Sequence, residues 1–165
     1  MKKIILFIFL FILCSSVYAD TRYAINKFSN MMRFTPEGGI AYLHTAGEVI
    51  SKGMLVDVNS SGKVIKIVKD SPDPIGAAYT SCVTNESVWI VYQGVADCLF
   101  TAGGSTAGML ARGFVAAESG FITGYVTAEP IPVNPFSDAK HFFEIGHVLQ
   151  SRTGTGLAKV QLHFN

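Results

Sequence analysis

His141, Glu144 and His147 are the residues of this chain whose types and spacing come closest to a metal-binding set. Imidazole nitrogens and carboxylate oxygens are ligands that zinc and similar cations accept, provided they converge on one coordination sphere. Along a strand, successive side chains alternate between faces. His141 and His147 then share a face with Phe143 and Ile145, and Glu144 points the opposite way. On a helix, His141 and Glu144 meet and His147 falls off their face. Neither geometry assembles three ligands, so the reading assigns no metal and no cofactor. Asp70 and Asp73 offer carboxylates for calcium, but their neighbours Pro72 and Pro74 make a solvated loop the simpler reading.

Nucleophilic chemistry fares no better. No serine sits in a Gly-x-Ser-x-Gly elbow. Ser105, within Gly103-Gly104-Ser105-Thr106-Ala107-Gly108, resembles one loosely, and no histidine can be assigned to it. The same run lacks the lysine of a phosphate-binding loop and reads as a turn. Asn59-Ser60-Ser61 and Asn85-Glu86-Ser87 match the N-glycosylation acceptor pattern and equally match hairpin turns. No acid, base and nucleophile form a coherent set, so the expectation is a protein that is not an enzyme.

The elements around these residues are more informative. One phrase occurs twice: Lys52-Gly53-Met54-Leu55-Val56, then Gly62-Lys63-Val64; and Ala107-Gly108-Met109-Leu110-Ala111, then Gly120-Phe121-Ile122. Each reads as a turn glycine, an apolar strand, a loop of small residues and a second strand. Met54, Val56 and Val58 alternate with Leu55, Asp57 and Asn59, and Val64, Lys66 and Val68 with Ile65 and Ile67. That period of two is the strand signature. Further strands are expected at Ile40–Thr45, from Ile75 to Tyr79, Val88–Tyr92, Val95–Phe100, Phe121–Thr127, His141–Gln150 and Leu157–Phe164. In the last, Val160, Leu162 and Phe164 face inward while Lys159, Gln161 and His163 face out. Gly94 permits a bulge or tight bend, and Asn26 to Phe34 permits one short helix that Pro36-Glu37-Gly38-Gly39 stops. Two unequal copies are too few for a solenoid or propeller. The expectation is all-β: a small barrel or sandwich of about nine to eleven short antiparallel strands with an irregular N-terminal arm.

Residues 1–19 read as a secretory leader. Lys2-Lys3 is the charged start, Ile4 to Cys14 an apolar run, and Val17-Tyr18-Ala19 places small residues where a signal peptidase reads. The run is short of the roughly 20 apolar residues of a membrane span, so no stable span is expected in the mature chain. The division is leader 1–19, arm 20–39 and a single β domain at 40–165. The 165-residue chain carries a formal charge of +1. Removing Lys2 and Lys3 leaves 11 basic against 12 acidic residues, a net −1. A near-neutral chain with no basic cluster lacks the electrostatic footprint of a nucleic-acid binder. Cys82 and Cys98 remain after the leader, and stand as a possible disulfide or as two separate buried thiols.

Aromatic residues are numerous, and Trp89, Tyr92, Phe100, Phe114, Phe121 and Phe136 are expected mostly in the core. The segment Glu129-Pro130-Ile131-Pro132-Val133-Asn134-Pro135 cannot donate a regular ladder. Pro130, Pro132, Pro135, Phe136, Phe142 and Phe143 are therefore the candidate interface, because a stiff aromatic loop loses little entropy on docking.

The order of several phrases resembles the small head-decoration, or capsid cement, proteins of tailed bacteriophages. The phrases are Ile50-Ser51-Lys52-Gly53-Met54-Leu55-Val56, Gly62-Lys63-Val64, Pro74-Ile75-Gly76-Ala77-Ala78, Val88-Trp89-Ile90-Val91-Tyr92-Gln93-Gly94-Val95, Thr106-Ala107-Gly108-Met109-Leu110 and Ile145-Gly146-His147-Val148-Leu149, closed by Gly154-Thr155-Gly156. The similarity covers about residues 40–165. It implies a non-enzymatic β-barrel-like virion protein on the outer capsid surface, often a homotrimer, that binds the major capsid protein lattice and reinforces capsomer contacts. The arm and the proline loop become the contact elements in that reading. The leader supports a different expectation, an exported periplasmic or secreted β domain for adhesion or binding.

Overall fold

A computed structural model describes residues 31–67, 74–113, 125–130 and 144–163. The chain divides into two compact units, Met1–Arg33 and Phe34–Asn165. Ten strands lie among the described residues: β1 (Met32–Phe34), β2 (Ile40–Thr45), β3 (Leu55–Val58), β4 (Val64–Lys66), β5 (Gly76–Ala78), β6 (Ser87–Phe100), β7 (Leu110–Arg112), β8 (Thr127–Glu129), β9 (Glu144–Val148) and β10 (Gly156–Leu162). The fold is all-β, as expected, with no helix among these residues and an antiparallel sheet curled into a half-barrel. No helix of the described residues is long and apolar enough to cross a membrane.

The main sheet runs β4-β3-β5-β6-β10-β9-β7-β8, with β2 also on β6. The first repeated phrase builds the β3–β4 hairpin, with Val58 opposite Val64. Its Asn59 turn is closed by the side chain, whose Oδ1 accepts from Ser61 N at 3.0 Å and Lys63 N at 3.1 Å. Asn85 holds a positive φ of 68° at the other expected tip. Both asparagines thus form turns.

The repetition goes far beyond the phrase. Gly53 and Gly108 have φ of 85° and 86°, and each donates its N–H to the strand that follows in the sheet, to Ala78 O at 2.7 Å and Val148 O at 2.9 Å. Leu55 faces Ala77 and Val56 faces Gly76; likewise Leu110 faces His147 and Ala111 faces Gly146. Ala77 then faces Val91, as His147 faces Gln161. Ala41 faces Val91 from the other side, as Val95 faces Gln161. Even the isolated bridges match: Ala46 to Val64 and Phe100 to Val126 in parallel, Ile50 to Cys82 and Ser105 to Arg152 antiparallel. Two side-chain bonds recur too, Ser81 Oγ accepting from Lys52 N at 2.9 Å and Ser151 Oγ from Ala107 N at 3.0 Å.

The described residues of 40–93 and of 94–163 are therefore two copies of one five-strand unit. The two share the long β6. Its 87–93 part belongs to the first copy, and its 94–100 part plays in the second copy the role of β2 in the first. The chain stays extended past Gly94, as expected: one strand continues through it at a φ of 86°, and the bulge falls at Tyr92, where Ile40 faces Gln93 and Ala41 faces Val91.

The copies differ in what covers them. Neighbours along a strand point to opposite faces, yet Leu55 and Val56, Ala77 and Ala78, and Ile90 and Val91 are all buried. One face of the first copy closes over Ile50, Val56, Val64, Val88 and Ile90. The other joins Ala41, Leu55, Ala77 and Val91 to a core with Phe100, Val126, Val148 and Val160 of the second copy. In the second copy, Val148 and Val160 are buried while His147 and Gln161 are exposed.

Two expectations are revised, and the alternative left open for the two cysteines is decided. The described part of the expected helix over 26–34 is strand β1, because Thr35 closes a tight turn with Gly39, Thr35 N donating to Gly39 O at 2.8 Å. A chain entering such a reversal is extended. The strand that pairs with β7 is Thr127–Glu129, facing Arg112 to Leu110, and so runs beyond the expected end at Thr127. Of the expected 121–127, Val126 bridges Phe100, and residues 114–124 lie outside the described set. Cys82 and Cys98 are free thiols in separate cores, not a disulfide, since Cys82 pairs with Ile50 and Cys98 faces Ala158 on β6. Burial pushes both thiols above their ordinary pKa, Cys98 far above. Neither should react with a thiol reagent in the native protein. In denaturant, the titre should be two thiols per chain without the leader and three with Cys14 retained.

Candidate functional site

β9 carries Glu144 and His147, and the predicted opposition of the two does not hold. Ala111 faces Gly146 but Arg112 faces Glu144, so one residue of β9 is extra at that point. A bulge of this kind breaks the two-residue alternation. Ile145 and Val148 consequently share the core, and Glu144 and His147 come to one side, His147 Nε2 lying 4.0 Å from Glu144 Oε1. His147 does not share a face with Ile145 as the plain strand geometry required. His141, Phe142 and Phe143 lie outside the described residues.

A third group joins them that sequence reasoning had placed only as outward-facing. His163 follows β10, its N–H donating to Ile145 O at 3.0 Å. That bond sets its ring against the same carboxylate, with Nε2 at 3.3 Å from Glu144 Oε1. The rings of His147 and His163 are 5.0 Å apart at 46°. The three ligand-type atoms lie within 4.8 Å of one another. Glu144 has the least exposed side chain of the three, 6% exposed, against 48% for His147 and 38% for His163. His163 Nε2 is itself shielded from solvent, and despite its closeness to the carboxylate it makes no hydrogen bond among the described residues. The β9 bulge brings Glu144 and His147 together and the β9–β10 register adds His163, and no local pattern in the sequence encodes that register.

His163 also lines a surface cleft of about 440 Å³, with Ile40, Tyr42, Tyr92, Gln93 and Leu162. Tyr42 meets Tyr92 edge-on at 5.3 Å, and His44 stacks on Tyr92 at 5.6 Å. Tyr92 OH and His44 Nε2 are 2.8 Å apart. Burial lowers the pKa of His44, which keeps it neutral near pH 7.

A second polar cluster crosses β6 and β10. Asp97 Oδ2 lies 2.9 Å from Lys52 Nζ, and Oδ1 lies 3.5 Å from Lys159 Nζ. Asp97 faces Lys159 at the register where Leu43 faces Trp89 in the first copy. Partial burial raises the Asp97 pKa, but the hydrogen bond and charge of Lys52, with Lys159, outweigh it and hold the carboxyl below its ordinary value. A depressed folded-state pKa contributes stability that is present above the unfolded value and lost as pH falls through the folded one. Asp97→Asn should therefore flatten the acid limb of thermal stability between about pH 5 and about pH 2. The effect should stay at about 1 kcal/mol or less, because both lysines are more than a third exposed. Thermal unfolding of both proteins across that range checks it.

Ser105 has a structural task. It is 6% exposed, and its hydroxyl donates to Gln150 O at 2.7 Å. Of the candidate interface residues, Pro130 is described and is exposed. Pro132, Pro135 and Phe136, like Asp70, Asp73 and Phe164, lie outside the described residues.

No protein-family model matches the chain, and no curated protein matches it significantly. Fold and site define an all-β protein made of a repeated five-strand unit, with a histidine–carboxylate cluster on its second copy.

Proposed function

We propose that the chain is a non-enzymatic virion protein that binds the outer surface of an icosahedral phage shell and reinforces contacts between capsomers. The order of the glycine-anchored phrases over residues 40–165 carries this reading. An all-β antiparallel sheet accords with the fold that the resemblance implies. The physical logic is multivalency. A trimer on a repeating lattice engages several weak sites at once, so each contact alone needs little affinity. The arm over 20–39 and the loop bearing Pro130, Pro132, Pro135 and Phe136 are the contact elements, with Phe142 and Phe143 beside them.

The leader at 1–19 favours a second reading, an exported β domain for adhesion or binding. The mass of the natural protein separates the two. A chain that travels with virions and keeps its first residues supports decoration. A chain beginning at Asp20 and recovered outside virions supports export and overturns decoration.

A further inference from the structure

We infer that the cleft bounded by Ile40, Tyr42, Tyr92, Gln93, Leu162 and His163 binds an uncharged sugar ring, a hexopyranose. Its volume of about 440 Å³ falls within the usual range of small-ligand sites, about 300–1,000 Å³. Ile40, Leu162 and the two tyrosine rings supply apolar surface. The negative π face of a tyrosine attracts the weakly positive C–H face of a pyranose. Gln93 is exposed, and its amide both donates and accepts hydrogen bonds, which matches sugar hydroxyls that do the same. No lysine, arginine or carboxylate is among the described residues that line the cleft, so a charged ligand would lose its hydration there without an opposite charge to replace it. Glu144, beside His163, is not part of the lining, and its side chain is 6% exposed. His44, stacked on Tyr92, is neutral near pH 7.

The internal repeat gives a second, independent argument. The cleft lies where the copies meet, with Ile40, Tyr42, Tyr92 and Gln93 from the first and Leu162 and His163 from the second. Tyr42 faces Ile90 as Ala96 faces Val160, and His44 faces Val88 as Cys98 faces Ala158. Tyr92, one residue after Val91, likewise corresponds to Leu162, one residue after Gln161. Ala96, Cys98 and Leu162 all belong to the buried core. The same backbone is thus built with apolar side chains that bury, so the fold does not require Tyr42, His44 and Tyr92. In the first copy these three make a fixed aromatic corner instead. Tyr42 stands 39% exposed, its ring at 81° to that of Tyr92, and the Tyr92 hydroxyl lies 2.8 Å from His44 Nε2. Rings that are already held in place lose little entropy when a ligand arrives.

The inference rests on neither the decoration nor the export reading. Its test is saturation-transfer NMR on the full chain with the methyl glycosides of glucose, galactose, mannose and N-acetylglucosamine, each at up to about 10 mM. N-acetylneuraminic acid serves as the charged comparison. Two variants accompany the wild type. Tyr42→Ala installs the residue that the second copy has at this position, so it should keep the fold, and Gln93→Ala alters an exposed side chain. At least one neutral glycoside should receive saturation, most strongly at the protons of one ring face. Tyr42→Ala should weaken its binding about 10-fold or more, and Gln93→Ala about 3-fold or more, with thermal unfolding of Gln93→Ala unchanged. The assignment is overturned if no neutral glycoside receives saturation, if the charged sugar alone does, or if both variants bind as the wild type does.

Discussion

Gly146→Ala should cost the domain about 3 kcal/mol or more, and Gly76→Ala a comparable amount. The two glycines are counterparts in the repeat, and a Cβ at either would run into the carbonyl oxygen of the adjacent strand, Gln161 O or Val91 O. Backbone on both sides of the clash leaves no flexible side chain to yield. Gly146 has the further burden of a φ of 157°, at the edge of what an L side chain tolerates. Relief requires β9 to part from β10, or β5 from β6, and hence breaks the register that carries each core. Urea unfolding of the single variants checks this against Gly62→Ala, where the added methyl meets nothing within 4 Å and only the φ of 72° opposes it. A loss at Gly146 and Gly76 no larger than at Gly62 would contradict the tight strand approach.

Phe100→Ala should destabilise by about 3–5 kcal/mol, the usual cost of emptying a buried phenylalanine site. Phe100 is fully buried in the core that both copies share. Its counterpart is Ala46, also fully buried. The first copy tolerates the small residue because Ile50 and Cys82 line its core, where the second copy has Ser105 and Arg152 at the matching bridge. Bulk is traded between positions, so the two cores cannot be repacked by copying one residue from the other. The site cannot collapse easily, since Val126, Val148 and Val160 are anchored in strands or bridges around it. A midpoint shift with an unchanged denaturant slope would mark a pure loss of packing.

Much of the fold was legible because it rests on local rules. Ile40–Thr45 matches β2 residue for residue, and the Asn59 turn and the inward Val160 and Leu162 follow from turn chemistry and the two-residue period. The repeated Gly-Met-Leu phrase pointed to two strand starts. The rest of the repeat was hidden because its register partners are not alike: Ala77 corresponds to His147, Val91 to Gln161 and Ala46 to Phe100. Pairing geometry survives such changes while composition does not. The candidate site was half visible. Glu144 and His147 were named, but a single extra residue in β9 reversed their relation. His163 entered through the β9–β10 register, which no local pattern specifies.

Sedimentation of the purified full chain with shells that lack any decoration protein tests the proposed function most directly. Decoration predicts saturable co-pelleting at a fixed number of chains per capsomer, together with shells that resist heat better than bare ones. A chain that stays in the supernatant at every concentration, leaving shell stability unchanged, would contradict it.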